Sequence, residues 1–359
     1  MANVDDRINL LDLPYPSLEA LVAERFGWAK YRAQQIWQWI WARNVRDIDS
    51  MTDIAREARE VLKKETRITL PKLVLKRESS DGTVKFLLRL EDGECIETVL
   101  IPSEGKDGKK RLSQCLSSQV GCAMACTFCS TGKLGFKRNM TMGEILGQLQ
   151  VAREYVGDND PSHPVIRNLV YMGMGEPLLN LSAVMDSLRT LNSPRGLAFS
   201  PRRITVSTCG IEKGLRELGE SGLAFLAVSL HAPTQELRER IMPRAAAWHL
   251  EEMLSALEQY PLGTRERITL EYLVMHGIND GDAQVRELAK ICSRLKAKLN
   301  LIPYNDTPGS PYAAPTPEQM LAFEKKLWAK NITAIARKSK GGDIEAACGQ
   351  LRAAHDADA

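Results

Sequence analysis

The hydrophobic pattern changes period along the chain. Up to about residue 80, apolar positions recur every three to four residues, the spacing of helices with one buried face. Helices are expected over 17–26, 29–42 and 54–64, and in the second of these Ile36, Trp37, Ile40 and Trp41 share the apolar side. From Thr83 apolar and polar residues alternate instead. That rhythm gives strands over 83–90 and 95–101, joined by Glu91-Asp92-Gly93 as a hairpin turn. A further turn at 105–108 precedes a strand over 112–118. Beyond residue 140, short apolar runs over 165–172, 203–208, 224–230, 268–275, 299–303 and 332–336 read as strands. Helical stretches separate them at 142–155, 181–191, 211–220, 250–259, 282–295 and 317–330. Such alternation specifies an α/β chain with a parallel sheet, either a barrel or an open doubly wound sheet. The expected organisation is a helical accessory domain over 1–80, a β-hairpin connection over 81–111 and a catalytic core over 112–359.

Composition narrows the class without choosing a function. With 44% hydrophobic and 26% charged residues the chain is an ordinary soluble globular protein, and a net charge of +3 is too small to imply nucleic acid by itself. The first six residues lack the basic and apolar regions of a signal peptide. No apolar run reaches the roughly 18 residues of a membrane span. Eight cysteines without an export signal point to a reducing compartment and to chemistry rather than disulfides, so a cytoplasmic location without membrane contact is expected. In the helical domain, Trp28, Tyr31, Trp37, Trp39 and Trp41 lie among Lys30, Arg32 and Arg43, a mixture able to grip RNA by stacking and charge. Trp37 and Trp41 fall on the apolar side and belong to the core, which leaves Trp39 as the surface candidate.

Three of the cysteines carry the chemistry. Cys122, Cys126 and Cys129 are spaced Cys-x3-Cys-x2-Cys, with Phe128 directly before the last. A structural zinc site normally takes four ligands, often in paired Cys-x2-Cys hooks. Three thiolates without a near fourth suit an iron–sulfur cubane with one iron left open. On a continuous helix the outer two would lie about 10 Å apart along the axis. A loop is therefore expected, with small Ala123 and Ala125 letting its backbone come close to a cluster. An open iron can chelate the amino and carboxylate groups of S-adenosylmethionine.

Polar and glycine motifs then recur where parallel strands should end, which is where βα barrels carry their chemistry. Gly173-Met174-Gly175-Glu176-Pro177 follows one strand, Ser207-Thr208-Cys209-Gly210 another, Ser229-Leu230-His231-Ala232 a third and Pro303-Tyr304-Asn305 a fourth. Glycines allow close backbone approach to a methionine moiety. Glu176 can accept from an ammonium, and Ser207, Ser229 and Asn305 can bond carboxylate or ribose. Gly175, Glu176, Ser207, Ser229, Leu230, His231 and Asn305 are thus the candidate cofactor contacts. Cys115, seven residues before Cys122, and Cys348, between glycines in a C-terminal loop, are two further candidates. Cys95, Cys209 and Cys292 read as small core residues.

Gly-Cys-x3-Cys-x-Phe-Cys, Gly-Met-Gly-Glu-Pro, Ser-Leu-His-Ala, Pro-Tyr-Asn and Asp-Ile-x-Ala-Ala-Cys-Gly-Gln-Leu together resemble the RlmN family of radical S-adenosylmethionine RNA adenine carbon-2 methyltransferases. The likeness spans nearly the whole chain. One departure is Lys340-Gly341-Gly342, where the family usually has Arg-Gly, which keeps the charge but loses bidentate pairing. The resemblance implies a partial (βα)6 barrel, one 4Fe-4S cluster on Cys122, Cys126 and Cys129, and two S-adenosylmethionine molecules consumed per turnover. It implies that Cys348 takes a methyl group from the first molecule. A 5′-deoxyadenosyl radical from the second activates that methyl, which adds to carbon 2 of adenosine. Glu97 or Cys115 takes the carbon-2 proton, and Cys115 attacks the Cys348 sulfur to release product and leave a disulfide. The implied partners are 23S rRNA, tRNA beside the anticodon, a flavodoxin-type electron donor and a thiol reductant, with the enzyme a monomer. Two rival readings stay open: a carbon-8 adenine methyltransferase of the same mechanism, and a non-catalytic iron–sulfur RNA-binding protein.

Overall fold

The computed structural model describes residues 5–104, 108, 110–158, 164–307 and 309–353. One ten-stranded sheet organises them. Seven strands run parallel, in the spatial order Lys110–Cys115, Ile166–Tyr171, Ile204–Thr208, Phe225–Ser229, Ile268–Val274, Ala297–Pro303 and Ala334–Ala336. Each follows its predecessor in sequence as well as in space, so the chain winds steadily one way and all seven carboxyl ends face one side. Helices Met142–Val156, Leu181–Asn192, Glu212–Ser221, Leu250–Glu258, Asp282–Arg294 and Pro317–Trp328 make the return connections. The result is six βα units and a closing strand. It is a partial barrel: the strand Ala334–Ala336 is one edge, and the ladder does not close on itself.

Beyond Lys110–Cys115 the sheet continues antiparallel through Cys95–Glu104, Val84–Arg89 and Lys72–Glu78. The hairpin expected at Glu91-Asp92-Gly93 joins the first two of these, with Gly93 at φ +88° and its N–H donating to Leu90 O. The turn expected at 105–108 lies outside the described residues apart from Gly108. Several short or exposed elements among the described residues were not anticipated. The edge strand Lys72–Glu78 has mostly charged and exposed positions, which suits an unpaired edge but hides the strand rhythm. The hairpin Gln119–Gly121 with Phe136–Asn139, and the seven-residue helix Gln235–Ile241, are too short to show a period.

The helix Met142–Val156 shows how sequence fixes position. Thr141 and Glu144 form a reciprocal capping box at its start, and Gly157 in the left-handed region ends it. It is buried along most of its length because the N-terminal helices cover its outer side. Gly143 permits that contact: its N–H donates to Asp12 Oδ1 at 3.1 Å, and a Cβ there would meet the same carboxylate. Gln150 Nε2 donates to Ile40 O and Arg153 Nη1 to Trp41 O. Trp37 and Trp41 are core residues as expected, packed at 5.8 Å from each other in one hydrophobic cluster with the sheet. Trp39 is half-buried, its Nε1 donating to Asp53 and the Arg43 guanidinium lying 3.9 Å over its ring. No helix among the described residues is long and apolar enough to cross a membrane.

Since Trp41 joins module and core, Trp41→Ala should cost about 3–5 kcal/mol by the cavity it leaves. Denaturant unfolding followed by circular dichroism checks this, and a change under about 1 kcal/mol would mean the module contributes little to the core.

Candidate active site

A cavity of about 160 Å³ opens at the carboxyl ends of the parallel strands. Cys122, Cys126 and Cys129 line one end of it. Their loop is bent by residues in the left-handed region, Gly121 at φ +74° and Ala125 at φ +51°. Only glycine fits at the first: a Cβ there would overlap Gly135 O, whose carbonyl accepts from Cys122 N. The loop is further pinned by Thr127 N–H on Ile241 O at 3.0 Å, Arg244 Nη1 on Ala123 O at 3.0 Å and Cys129 N–H on Cys126 O at 3.1 Å.

The donor set fits a cationic cluster. Burial pushes the Cys122 thiol up to about 11 and Cys126 further still, and in both cases the neighbouring cysteines of the loop add to the effect. Three thiolates crowded so repel one another until positive charge enters among them, and soft sulfur ligands select iron–sulfur clusters or zinc. Among the described residues, no three His, Cys, Asp or Glu side chains converge as a single-ion site requires. A cubane asks for a wider triangle, one iron to each sulfur.

The strand-end motifs divide on inspection. Gly175, Glu176, Ser207, Ser229 and His231 line the same cavity. Gly175 sits at φ +101°, and a Cβ would come within 2.6 Å of Gln119, so its need for glycine comes from packing against the strand that feeds the cysteine loop. Ser118 and Gln119 N–H both donate to Met174 O there, and Gln119 Oε1 accepts from Glu176 N. Glu176 is buried, which raises its pKa, while Cys209 N–H at 2.8 Å and Leu178 N–H at 3.0 Å each bond one carboxylate oxygen. Spare lone pairs remain for a ligand ammonium. Ser207 and Ser229 hydroxyls lie 3.4 Å apart. His231, at φ +48°, accepts from Leu273 N–H on Nδ1, which puts its proton on Nε2. Burial depresses its pKa to about 3, so the ring is neutral.

Leu230 and Asn305 do not line this cavity. Leu230 is fully buried, its N–H donating to Glu271 O and its carbonyl accepting from Ala232 N–H, so it braces the loop from the core side. Asn305 Nδ2 donates to Cys348 O at 3.3 Å and thus touches the C-terminal loop.

Cys348 and Gly349 also line the cavity, and Cys348 is exposed. Protein crowded around its sulfur still raises the thiol above the ordinary range, with the Glu271 carboxylate adding to the rise and Arg337 opposing it. Cys115 lies buried on the strand Lys110–Cys115, and its thiol is pushed far up, first by burial and then by Cys348. Each is a free thiol. Glu97 does not line this cavity; it stands at the base of the loop that bears Cys348, ion-paired to Lys85 at 3.0 Å, and its Oε2 accepts from the N–H groups of Arg352 and Ala353.

Residues 8–68 match the ribosomal RNA large subunit methyltransferase N-terminal domain, and residues 116–289 match the radical SAM superfamily. The chain is 63% identical over 345 residues to the dual-specificity RNA methyltransferase RlmN of Nitratidesulfovibrio vulgaris strain Hildenborough, covering 96% of this chain and 95% of the relative. The chain belongs to the RlmN family. A member from Oleidesulfovibrio alaskensis is 60% identical over 97% of this chain and 96% of its own length. A crystal structure of a radical SAM methyltransferase from Sphaerobacter thermophilus superposes with a TM-score of 0.88 at 40% identity, over 97% of this chain and all of that one.

Sequence reasoning missed Glu271. It is buried in the strand Ile268–Val274, lines the cavity, and bonds Asn300 Nδ2, while Arg337 Nε holds Asn300 Oδ1 at 2.8 Å. A lone carboxylate in Ile-Thr-Leu-Glu-Tyr-Leu-Val was the available signal. Arg238 was also missed: it is fully buried beneath the cysteine loop and donates to Cys209 O at 2.5 Å.

Gly121→Ala should lower the iron bound after anaerobic reconstitution far below that of the parent chain, with the far-ultraviolet spectrum kept. Iron content at the parent level would show that the loop tolerates a Cβ and is held by something else.

Proposed function

We propose that this chain is a radical S-adenosylmethionine methyltransferase acting on carbon 2 of adenosine in 23S rRNA and in tRNA beside the anticodon. One observation carries the reading beyond family membership. The Cys348 thiol shares a cavity with the three-cysteine loop and with the polar strand ends, and it lies within electrostatic reach of Cys115. A methyltransferase that only bound its donor would need neither extra thiol.

A 4Fe-4S cluster on Cys122, Cys126 and Cys129, with S-adenosylmethionine, would supply the one-electron chemistry that activates an inert methyl group. The chain's own residues do the rest. Glu176 accepts from the donor's ammonium, Ser207 and Ser229 offer hydroxyls, and His231 presents a fixed neutral N–H. Cys348, a neutral thiol at pH 7, must lose its proton as it takes the first methyl group, and the adjoining Glu271 carboxylate suits that task. Cys115 then attacks the Cys348 sulfur. The carbon–sulfur bond to the product breaks, and the new disulfide stores two electrons' worth of oxidation that an external thiol reductant removes. The proton lost from carbon 2 goes to Glu97, which Lys85 holds at the base of the Cys348 loop, or to Cys115 as its thiolate. A flavodoxin-type protein is the proposed electron donor. The cavity is built by one chain, which supports a monomer, and RNA substrates support action in the cytoplasm. Carbon 2 is shielded in a stacked pair, so the target base must be flipped or unpaired.

Nucleoside analysis of RNA treated with the reconstituted enzyme should give 2-methyladenosine; 8-methyladenosine instead would overturn the carbon-2 assignment. Cys348→Ala should carry no label from methyl-labelled S-adenosylmethionine, and label on that variant would remove Cys348 from the pathway. Cys115→Ala should accumulate RNA crosslinked to Cys348, whereas clean turnover would show that another group resolves the adduct.

A further inference from the structure

The strands Val84–Arg89 and Cys95–Glu104 lie between the two matched domains and contribute nothing to the cavity lining. They nevertheless meet the loop that bears Cys348. Lys85, 6% exposed, pairs with Glu97, 3% exposed, at 3.0 Å. The same Lys85 ammonium donates to Glu345 O at 3.0 Å, three residues before the thiol. Glu97 Oε2 accepts from Arg352 N–H at 2.8 Å and from Ala353 N–H at 3.1 Å, four and five residues after it. A single buried ion pair therefore grips both arms of the loop. Arg352 Nη2 closes the base by reaching Glu345 Oε2 at 2.9 Å. On the far side Ser130 N–H donates to Gly349 O at 2.7 Å and Thr131 Oγ1 to Leu351 O at 2.6 Å. Cys348 projects between these two anchors.

We propose that Lys85 is a positioning residue for the methyl-carrying thiol: through Glu345 O directly, and through Glu97 to residues 352 and 353, it clips both arms of the loop so that Cys348 faces the cavity and Cys115. This rests on the methyltransferase reading above. An ammonium is suited to the task, since it can donate to a carbonyl and a carboxylate together. Its burial makes each bond strong.

The readout is transfer of labelled methyl from S-adenosylmethionine to Cys348 in the reconstituted enzyme without RNA, together with iron content and affinity for S-adenosylmethionine. Lys85→Met should slow labelling by about tenfold or more, as displacement of a reacting atom by a fraction of an ångström does, while iron and cofactor affinity stay near the parent values. Lys85→Arg should restore most of the rate. Because Lys85→Met strands the Glu97 charge, the double variant Lys85→Met/Glu97→Leu tests the clip without a buried unpaired carboxylate, and it should fold yet label as slowly. Parent-like labelling by Lys85→Met would overturn the proposal. So would recovery of the parent rate in the double variant, which would trace the defect to the stranded charge, or failure of Lys85→Arg to improve on Lys85→Met. Absence of label on the parent enzyme would instead sink the methyltransferase reading and leave the clip's geometry intact.

Discussion

Three sulfur atoms within eight residues have to look into one cavity, and that demand shapes everything around it. Regular secondary structure cannot meet it, because a helix would spread the sulfurs along its axis and a strand would alternate them across two faces. The loop bends back through left-handed turns at Gly121 and Ala125, and bent backbone must be held from outside. Ile241, Arg244 and Gly135 supply the holding bonds, from a short helix, the turn after it and the neighbouring hairpin. Elements with no part in the cavity exist to keep this loop closed.

The cavity is polar at defined points and otherwise mostly apolar. Glu176, Glu271 and His231 are all buried, and each has part of its hydrogen-bonding capacity committed to the protein and part left over. Committed bonds fix where the remaining lone pair or proton points, so a ligand meets a preset pattern rather than a flexible one. Burial also sets charge. It holds His231 neutral and pushes the Cys115 thiol well above its ordinary range.

Much of this was legible in the residues. Periodicity gave the six βα units because their strands are continuous apolar runs and their helices carry capping residues, as at Thr141 and Thr316. The cysteine spacing announced a loop around a soft-metal cluster. What stayed hidden depends on contacts far apart in sequence. Nothing local shows that Glu97 also holds the loop bearing Cys348, since its partners are residues 85, 352 and 353. Leu230 and Asn305 sit in motifs next to cavity residues, but a one-residue step along a strand end reverses the side on which a side chain stands. Gly175 lines the cavity as read, and its close packing on Gln119 is a second demand for glycine that no local pattern shows.

The bond from Lys85 to Glu345 joins residues 260 apart in the chain, whereas the cysteine loop is secured chiefly by neighbours within about 120. Closing the longer span costs more entropy and brings its reward later. The arm that carries Cys348 is thus tied in part to strands that take no part in the cavity, so the fourth thiol at this centre has a support of its own, apart from the hydrogen bonds that bend the cysteine loop.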